Sequence, residues 1–385
     1  MNQNSKKTIL QVLPALNDGG VERGVYDICS FAVKTGFEYE IQVASSGGKF
    51  VDKLRQKNIK HHKLNLKTKN PIKIILNAFR LANVCKENNV GVIHARSRAP
   101  AWSAFIASKI VGVPYITTFH GFYKFQNIFK KFYNSVMVYG DKIIAVSHFV
   151  KNHILTFYNV SEEKIITIHR GVDLDFFNPE KILADEIAHL KDKLGITNQK
   201  IILLVGRVTH WKGQDIAIKA MKKVNSDAVL VLVGDVKSSS QKYYENLKRI
   251  VVENSLENKV IFAGSSDNLP LYYKACDVAL NTSREAETFG RVTAEAGAFG
   301  KPVIATDIGG SLEIIKEGKT GYLVPIENPE ILANKIDEVL VIFTDKNFAE
   351  EFSKNTIERI HRKFSLKQMC EKNFDLYRGI ISNSH

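Results

Sequence analysis

The chain alternates short apolar runs, rich in β-branched residues, with longer segments of helical character. A strand buried on both faces is a continuous apolar run, so this alternation predicts parallel sheets covered by crossover helices. In the first half, the predicted strands are 8–13, 40–44, 90–94, 115–118, 142–146 and 165–168. In the second half, they are 201–205, 228–233, 260–263, 277–281, 302–305 and 322–324. The pattern predicts an α/β protein made of two successive sets.

A Phe-Phe-Asn-Pro turn and a polar, charged stretch within residues 175–198 are typical of a connection between domains. We therefore predict a Rossmann-like domain at 1–180 and a second at 181–365. A last helix at 366–385 is placed to pack back across the junction. Parallel sheets bind ligands at the carboxyl ends of their strands, so we expect the two domains to face each other across a cleft that holds the ligand.

The composition excludes several classes of protein. With 385 residues, 44% of them apolar, and only nine prolines, the chain has the composition of folded domains rather than of a disordered protein. Its four cysteines form no CxxC pair, which argues against a disulfide framework or a zinc site and favours a reducing, cytoplasmic location. No apolar run approaches the roughly 20 residues of a membrane-spanning helix.

Positive charge is concentrated in the first half of the chain. The net charge is +14; residues 1–180 carry 25 Lys and Arg against 13 acidic residues, and residues 181–385 carry 29 against 27. A basic first domain attracts phosphorylated or acidic partners and anionic membrane surfaces. Nucleic-acid binding is the competing explanation, but no recognised binding module accompanies the charge, so we expect no nucleic-acid partner.

The segment EAETFGRVTAEAGAFGKPVIATDIGG, residues 285–310, has the strongest chemical signal. Glu287 precedes a predicted helix capped by Thr288, and Glu295 lies about two turns inside it. The first-turn amides that would face an anion such as a diphosphate are those of Phe289, Gly290 and Arg291. The two carboxylates could accept hydrogen bonds from sugar and ribose hydroxyls. The alternative is that both are ordinary solvated helix charges.

A second segment, VGRVTHWKGQD, places Arg207 and Lys212 at the end of a predicted strand. Two cations there could neutralise a diphosphate leaving group as its charge develops. The alternative is a pair of exposed surface cations. Near the start, Gly19 and Gly20 follow the first strand, where their backbone could approach a phosphate or sugar closely. That segment lacks G-x-G-x-x-G, which argues against a dinucleotide-binding oxidoreductase.

Taken together and in order, these motifs resemble the family-4 retaining glycosyltransferases, also described as glycosyl transferases group 1. The motifs are the glycine pair, TFHG at 118–121, IHRGVDLDFFNP, VGRVTHWKG, VGD at 233–235, and the Glu287–Glu295 pair followed by GKPVIATDIGG. The resemblance implies the two-Rossmann-domain GT-B architecture and a nucleotide-sugar donor, with a UDP-sugar favoured over a GDP-sugar. It implies no cofactor and no metal. A sugar-nucleotide epimerase and a non-catalytic sugar-nucleotide or glycan-binding module remain as alternatives.

The resemblance also implies roles for individual residues. Arg207 and Lys212 would hold the diphosphate, and Glu287 would contact the donor sugar. Glu295 would hold the ribose, and the backbone amides of Phe289 to Arg291 would support the sugar and the phosphate. His120 would lie near the reaction centre, or else be a buried histidine bonded to a backbone carbonyl. The remaining implied donor contacts are Gly19 and Gly20 beside the diphosphate and Gly264 beside the base.

One further motif has a form that elsewhere binds metal. Asp173-Leu-Asp175 matches the D-x-D pattern of other sugar-nucleotide transferases. The family uses this segment structurally, so the resemblance implies no metal there, with the cations and the helix end replacing Mg²⁺.

The prediction of an acceptor-binding region depends on basic and aromatic residues in the first half of the chain. Residues 49–73 hold nine Lys and Arg against one acidic residue, and Arg96 and Arg98 follow a strand, where they could bind an acceptor phosphate or form an empty surface pair. An amphipathic helix is predicted over 121–136, with Phe122, Phe125, Phe129 and Phe132 among Lys124, Lys130 and Lys131. Its aromatic stripe could belong to the core or to a membrane interface.

These features favour an anionic glycan or lipid-linked acceptor in cell-envelope or lipopolysaccharide synthesis. We accordingly expect a cytoplasmic enzyme, peripheral on the inner face of the cytoplasmic membrane.

Overall fold

The computed structural model describes residues 6–17, 19–123 and 127–383. The chain divides into two compact units, Met1–Arg170 with Leu366–His385 and Gly171–Ser365. The division falls ten residues before the predicted boundary at 180. The reason lies in residues 171–180, where Val172 N donates to Phe364 O at 2.8 Å and Phe177 packs in one apolar core with Tyr273.

The first unit contains a seven-stranded parallel sheet in the order β3-β2-β1-β4-β5-β6-β7. Its strands are β1 Thr8–Val12, β2 Glu40–Ser45, β3 His61–Lys63, β4 Val90–Ala95, β5 Tyr115–Phe119, β6 Lys142–Ala145 and β7 Ile165–Thr167. The pattern predicted six of them within two residues. It missed β3, since an edge strand of two histidines and a lysine has no apolar run.

Helices cover both faces of this sheet. They are α1 Gly20–Thr35, α2 Phe50–Gln56, α3 Pro71–Glu87, α4 Arg98–Val111, α5 Ile128–Ser135 and α6 His148–Phe157. Local chemistry sets several of their ends: the Asn70 side chain accepts from Lys73 N and the Ser147 side chain from Val150 N, each capping a helix start. Gly36, at a φ of 66°, ends α1 in the left-handed conformation.

The second unit contains a six-stranded parallel sheet in the order β10-β9-β8-β11-β12-β13. Its strands are β8 Lys200–Val205, β9 Ala228–Val233, β10 Val260–Gly264, β11 Val278–Asn281, β12 Val303–Thr306 and β13 Tyr322–Val324. Its helices are α7 Ala184–Lys193, α8 Gln214–Met221, α9 Gln241–Glu253, α10 Leu269–Ala275, α11 Arg291–Ala298, α12 Ser311–Ile314, α13 Pro329–Ile342 and α14 Lys346–Lys363. Both units are therefore Rossmann-like, as predicted.

The last helix, α15 (Leu366–Ser382), belongs to the first unit. Phe374 stacks on Phe37 with ring centroids 3.9 Å apart, and Tyr377 is fully buried. The Tyr377 hydroxyl lies 2.9 Å from Gln11 Nε2, 2.8 Å from His94 Nδ1 and 3.3 Å from Arg96 Nη2. One hydroxyl therefore connects the C-terminal helix to the middle of the first sheet.

The structure bears on the two expectations about cysteines and membrane-spanning helices. All four cysteines are buried and free. Across the described ranges, every helix falls short of the combined length and apolarity that a transmembrane span requires.

Replacing Tyr377 with Phe tests the buried hydroxyl. The change keeps the ring but leaves polar groups of Gln11, His94 and Arg96 short of a partner in the core. We expect the free energy of unfolding, measured in urea, to fall by about 1–3 kcal/mol. The matched control is Tyr139→Phe, whose hydroxyl bonds Ser135 at an exposed site, and it should change stability by less than about 0.5 kcal/mol. Equal losses in the two variants would contradict this role.

Candidate active site

Two glycines shape the loop that follows β8. Gly206 has a φ of 157°, and a Cβ on it would lie 3.4 Å from both Cδ and Cε of Lys212, so the lysine stem runs along bare backbone. A Cβ on Gly213, which has a φ of 69°, would lie 2.1 Å from Thr282 O. Only glycine permits that approach. The loop after β8 is thereby held against the loop after β11.

Hydroxyl groups connect the same two loops. The Thr282 hydroxyl lies 3.0 Å from Lys212 O and 2.9 Å from Gly213 O. The neighbouring Ser283 hydroxyl lies between two acceptors, 2.7 Å from Glu287 Oε1 and 2.8 Å from Asn281 Oδ1. Short polar side chains at the end of β11 therefore set the position of the Glu287 carboxylate.

Lys212 and Glu287 form an ion pair, with 2.6 Å between Lys212 Nζ and Glu287 Oε1. Both side chains are only 12% exposed. Burial alone would raise the pKa of Glu287, but the Lys212 ammonium and the hydrogen bonds from Lys212 and Ser283 hold that pKa below its ordinary value. The Glu287 carboxyl is therefore ionised at neutral pH. The ion pair places a cation, a group suited to binding phosphate, beside a carboxylate, a group suited to accepting from sugar hydroxyls.

A second glycine pair supports the backbone of Glu287. A Cβ on Gly309, which has a φ of 74°, would lie 2.6 Å from Glu287 O, and a Cβ on Gly310 would lie 2.5 Å from Phe289 Cα. Gly310 N also donates to Glu287 O at 2.7 Å. The GG of ATDIGG is thus a platform for residues 287–290, a role that sequence reasoning did not assign to it.

The structure corrects the predicted start of the following helix. Helix α11 begins at Arg291, and its N-cap is Gly290, with a φ of 92° that a side chain would resist, so Thr288 is not the cap. Phe289 is 3% exposed, its ring lying in the core beside Phe364, and only its backbone can serve a ligand. Within the described residues, the amides of Phe289 and Gly290 donate to no protein acceptor. They remain available to an anion.

Glu295 lies inside the same helix and is already bonded. Tyr273 OH donates to Glu295 Oε2 at 3.0 Å, and Arg291 Nη2 lies 2.7 Å from Glu295 Oε1. The Glu295 side chain is 5% exposed, whereas that of Arg291 is 52% exposed. Tyr273 was missed at the sequence level because it lies on α10, outside every motif, and no spacing connects it to Glu295.

Arg207 and Gly264 lie at other strand ends of the second sheet. Arg207 is exposed, and its guanidinium makes no hydrogen bond or ion pair with any residue in the described ranges. Gly264 ends β10 with a φ of 72°, open space surrounds the place of its missing side chain, and its carbonyl accepts from Gly234 N at 2.8 Å. Both lie at carboxyl ends, where a parallel sheet binds ligands.

In the first unit, His120 and Gly20 lie near Arg170. His120 follows β5, and burial, with the charges of Arg170 and Arg96 adding to it, lowers its pKa well below the ordinary value, so the ring is neutral at neutral pH. The Arg170 guanidinium donates to Gly20 O, and a Cβ on Gly20 would lie 3.0 Å from Arg170 Nη1. His120, Arg96 and Arg170 line one small cavity. Gly19 forms the N-cap of α1.

The structure corrects the predicted acceptor pair. Arg96 is 4% exposed and donates from Nε to Gln11 Oε1 at 2.7 Å, so it belongs to the core around Tyr377 rather than to the surface. Arg98 is half-buried, with Nη1 donating to Asn134 Oδ1 at 2.9 Å and its guanidinium 4.3 Å from the centre of the Tyr123 ring. Buried acceptors therefore hold both side chains, Gln11 on β1 for Arg96 and Asn134 on α5 for Arg98.

The predicted amphipathic helix over 121–136 is also shorter than expected. Helix α5 begins at Ile128, where the Asn127 side chain caps it. Phe122 packs edge-on against Phe149, whereas Phe129 and Phe132 are 81% and 63% exposed. Lys124 and Phe125 lie outside the described residues. The aromatic stripe is therefore divided between an inner and an outer part.

The D-x-D segment forms a turn. Asp173 Oδ1 accepts from the backbone N–H of Asp175 at 3.1 Å and of Phe176 at 3.3 Å. Local hydrogen bonds of this kind are common for Asp at turns and need no metal.

Family models match most of the chain. The model described as Glycosyltransferase Family 4 matches residues 18–176, and the model described as Glycosyl transferases group 1 matches residues 186–359. The chain belongs to this glycosyltransferase family, which confirms the resemblance found in its motifs.

Individual relatives agree with that assignment. A crystal structure of a glycosyltransferase from Rickettsia africae ESF-5 is 37% identical, with a TM-score of 0.92, over 99% of this chain and 100% of that one. The uncharacterized glycosyltransferase MJ1607 of Methanocaldococcus jannaschii is 31% identical over 62% of this chain and 60% of its own length. Anabaena Alr3699/HepE, crystallised with UDP, shares the fold at 23% identity, with a TM-score of 0.84 over 97% and 100% of the two chains. The predicted GT-B type of fold is confirmed.

The Gly309 platform can be tested by adding one methyl group. Both Gly309→Ala and Gly318→Ala place a side chain at a left-handed φ, 74° and 69°, but a Cβ on Gly318 meets nothing within 4 Å. We expect Gly309→Ala to lower the free energy of unfolding by about 1–3 kcal/mol more than Gly318→Ala, because it overlaps the Glu287 backbone. Chemical denaturation measures the difference, and equal losses would show that the platform is unimportant.

Proposed function

We propose that this protein is a retaining glycosyltransferase that moves a sugar from a nucleotide-diphosphate donor to a hydroxyl group of a glycan or lipid-linked acceptor. The observation that carries the proposal is the buried Lys212–Glu287 pair beside the unoccupied amides of Phe289 and Gly290. A cation, a carboxylate and two N–H donors on adjoining loops suit the phosphate and the hydroxyls of one sugar nucleotide.

Charge neutralisation supplies the main catalytic effect in this proposal. The bond between the sugar anomeric carbon and the diphosphate oxygen breaks, and negative charge develops on the leaving phosphate. Lys212 and the free amides are held in a fixed geometry towards that charge, and the exposed Arg207 adds a second cation. Preorganised charge of this kind is commonly the largest catalytic effect. Lys212 would then be shared between Glu287 and the phosphate, while Glu287 orients the sugar through its hydroxyls.

The acceptor hydroxyl forms the new bond from the same side of the sugar that the leaving group departs from. Its proton goes to the departing phosphate oxygen, so no carboxylate nucleophile is needed. Family membership supports this retaining course. We further propose that the cations and amides replace a divalent metal, and that the donor is a UDP-sugar, as the UDP bound in the Anabaena structure suggests for a protein of this fold.

The acceptor proposal rests on charge. The first 180 residues carry a net +12, and an anionic or lipid-linked glycan of the cell envelope is complementary to such a surface. We propose that the enzyme works at the cytoplasmic face of the membrane.

A thermal-shift panel of UDP-, GDP- and ADP-sugars tests the donor and the site together. We expect a UDP-sugar at 100 times its Kd to stabilise the parent by about 2.7 kcal/mol, and Lys212→Ala to lose most of that stabilisation. Lys222→Ala, an exposed lysine on the same unit, is the control and should respond like the parent. Stabilisation of the Lys212 variant equal to that of the parent would refute the proposed site.

Product analysis separates the proposed reaction from the other activities of such a site. Sugar transfer or slow donor hydrolysis with release of UDP supports a transferase. Interconversion of the sugar while it stays attached to UDP would indicate an epimerase, and binding without turnover would indicate a binding module.

A metal-chelation experiment tests the cation chemistry. We expect EDTA to leave UDP release unchanged, because Lys212, Arg207 and the amides neutralise the diphosphate. Activity that EDTA abolishes and Mg²⁺ restores would contradict metal independence.

A further inference from the structure

Helix α3 carries apolar residues on two opposite faces. The inner face contributes Ile74, Ala78, Leu81 and Cys85 to the core. The outer face presents Ile72, Ile75, Leu76 and Phe79, which are 70%, 50%, 50% and 57% exposed. Their spacing of three, one and three residues places them on one stripe of the helix. A stripe of large exposed apolar side chains is costly in water and marks an interaction site.

Helix α5 carries a second exposed apolar group. Ile128, Phe129 and Phe132 are 77%, 81% and 63% exposed. The helix is only eight residues long. The high exposure of these three side chains shows that no described part of the chain covers them.

Helix α4 connects helices α3 and α5 through adjacent residues. Ser103 Oγ donates to Ile74 O on α3 at 2.9 Å, and Trp102 Nε1 donates to Tyr133 O on α5 at 3.1 Å. The Trp102 ring also lies 5.3 Å from the Phe132 ring. We call the seven exposed side chains of α3 and α5 the α3–α5 surface.

The chain around this surface is almost free of negative charge. Residues 53–140 contain sixteen Lys and Arg and a single acidic residue, Glu87. Lys69 and Lys73 lie at the start of α3, and Lys130 and Lys131 lie within α5. Exposed apolar side chains and lysines on the same helices are the combination that binds at the interface of an anionic bilayer.

We propose that the α3–α5 surface docks on an anionic lipid bilayer. A second copy of the chain is disfavoured as the occupant, because a symmetric contact would bring two strongly basic surfaces together. Phe and Ile side chains enter the headgroup region while the lysines pair with lipid phosphates. The inference deepens the proposed function by naming the surface that brings the enzyme to a lipid-linked acceptor, but the binding itself needs no donor.

Vesicle sedimentation tests the proposal with the full chain and no sugar nucleotide. Vesicles of 30 mol% phosphatidylglycerol in phosphatidylcholine should bind the parent at low salt and release it progressively as salt rises. We expect Phe79→Ser with Phe129→Ser to weaken binding at least tenfold. Reversing Lys69 and Lys73 to Glu should weaken it about fivefold or more for each lysine.

Matched controls lie on the second unit. Val252→Ser with Val341→Ser removes apolar side chains of similar exposure, 62% and 66%, and should leave vesicle binding unchanged. Binding that the α3 and α5 variants do not weaken, or no binding by the parent, would overturn the proposal. Sedimentation velocity identifies the competing outcome, a dimer that these variants dissociate. Because UDP stabilisation is measured separately, failure here leaves the proposed function standing.

An independent observation concerns Arg284, which connects the two loops of the candidate site. Its guanidinium donates to both oxygens of Asp215, each at 2.7 Å, and its Nη1 also donates to His210 O at 2.8 Å. The Arg284 backbone N–H donates to Trp211 O at 2.7 Å. The Arg284 and Asp215 side chains are 13% and 8% exposed.

The partners of Asp215 keep this pair charged. Tyr243 OH donates to Asp215 Oδ1 at 2.6 Å. Burial would raise the pKa of Asp215, but the hydrogen bonds from Arg284 and Tyr243 outweigh it and lower the pKa to about 2. Asp215 lies three residues after Lys212, and Arg284 lies three residues before Glu287. The bidentate pair thus connects the two loops that carry the predicted phosphate-binding lysine and sugar-binding glutamate.

We infer that Arg284 and Asp215 are positioning residues for the Lys212–Glu287 pair. This inference rests on the proposed function, since it concerns the geometry of the donor site. A displacement of about 1 Å at such a site can lower a rate about a hundredfold. We expect Asp215→Asn to lower kcat by about tenfold to a hundredfold with little change in the donor KM, and Arg284→Lys to recover part of the activity that Arg284→Gln loses.

A double-mutant cycle distinguishes positioning from a merely structural effect. Adding Asp215→Asn to Lys212→Ala should lower kcat little further, because the lysine that the Arg284–Asp215 pair positions is already gone. If the two single-variant losses in kcat multiply in full in the double variant, the inference is overturned. Lys223→Gln, which breaks the exposed pair with Glu330, is the control and should leave kcat unchanged. If Lys212→Ala itself keeps full activity, the proposed function fails instead.

Discussion

The close approach of two loops at the end of the second sheet is the constraint on which the candidate site depends. The loops follow β8 and β11, which are neighbours in the sheet, so their carboxyl ends adjoin. Glycine at position 213 lets the backbones meet, and Thr282 bonds across the contact. Because of this approach, Lys212 Nζ and Glu287 Oε1 lie 2.6 Å apart and form an ion pair.

Much of the fold could be predicted because buried parallel strands leave a clear sequence signal. The run Ala228–Val233 is apolar at every position and was predicted with its true limits. The signal failed at β3, where polar side chains lie on a sheet edge. It also misplaced the domain boundary, because the contacts that attach residues 171–180 to the second unit come from Phe364 and Tyr273, which are distant in the chain.

The sequence could predict which residues form the candidate site, but it could not predict which of their side chains contact each other. Family motifs identify Lys212 and Glu287, yet nothing in their spacing shows that the two side chains contact each other. Arg96 was misread for a related reason: a cation after a strand looks exposed, but a helix from the far end of the chain covers it. Likewise, the helix after Glu287 begins later than expected because a left-handed glycine, rather than Thr288, precedes it.

The burial of Tyr377 has a consequence for the order in which this protein matures. The first 170 residues leave the ribosome well before α15 exists, so Gln11, His94 and Arg96 are synthesised without the hydroxyl that they later share. Domains that form during synthesis generally do so from the N-terminus onwards. Here the second unit can complete its core first, and the first unit reaches its final packing only after α15 has been synthesised.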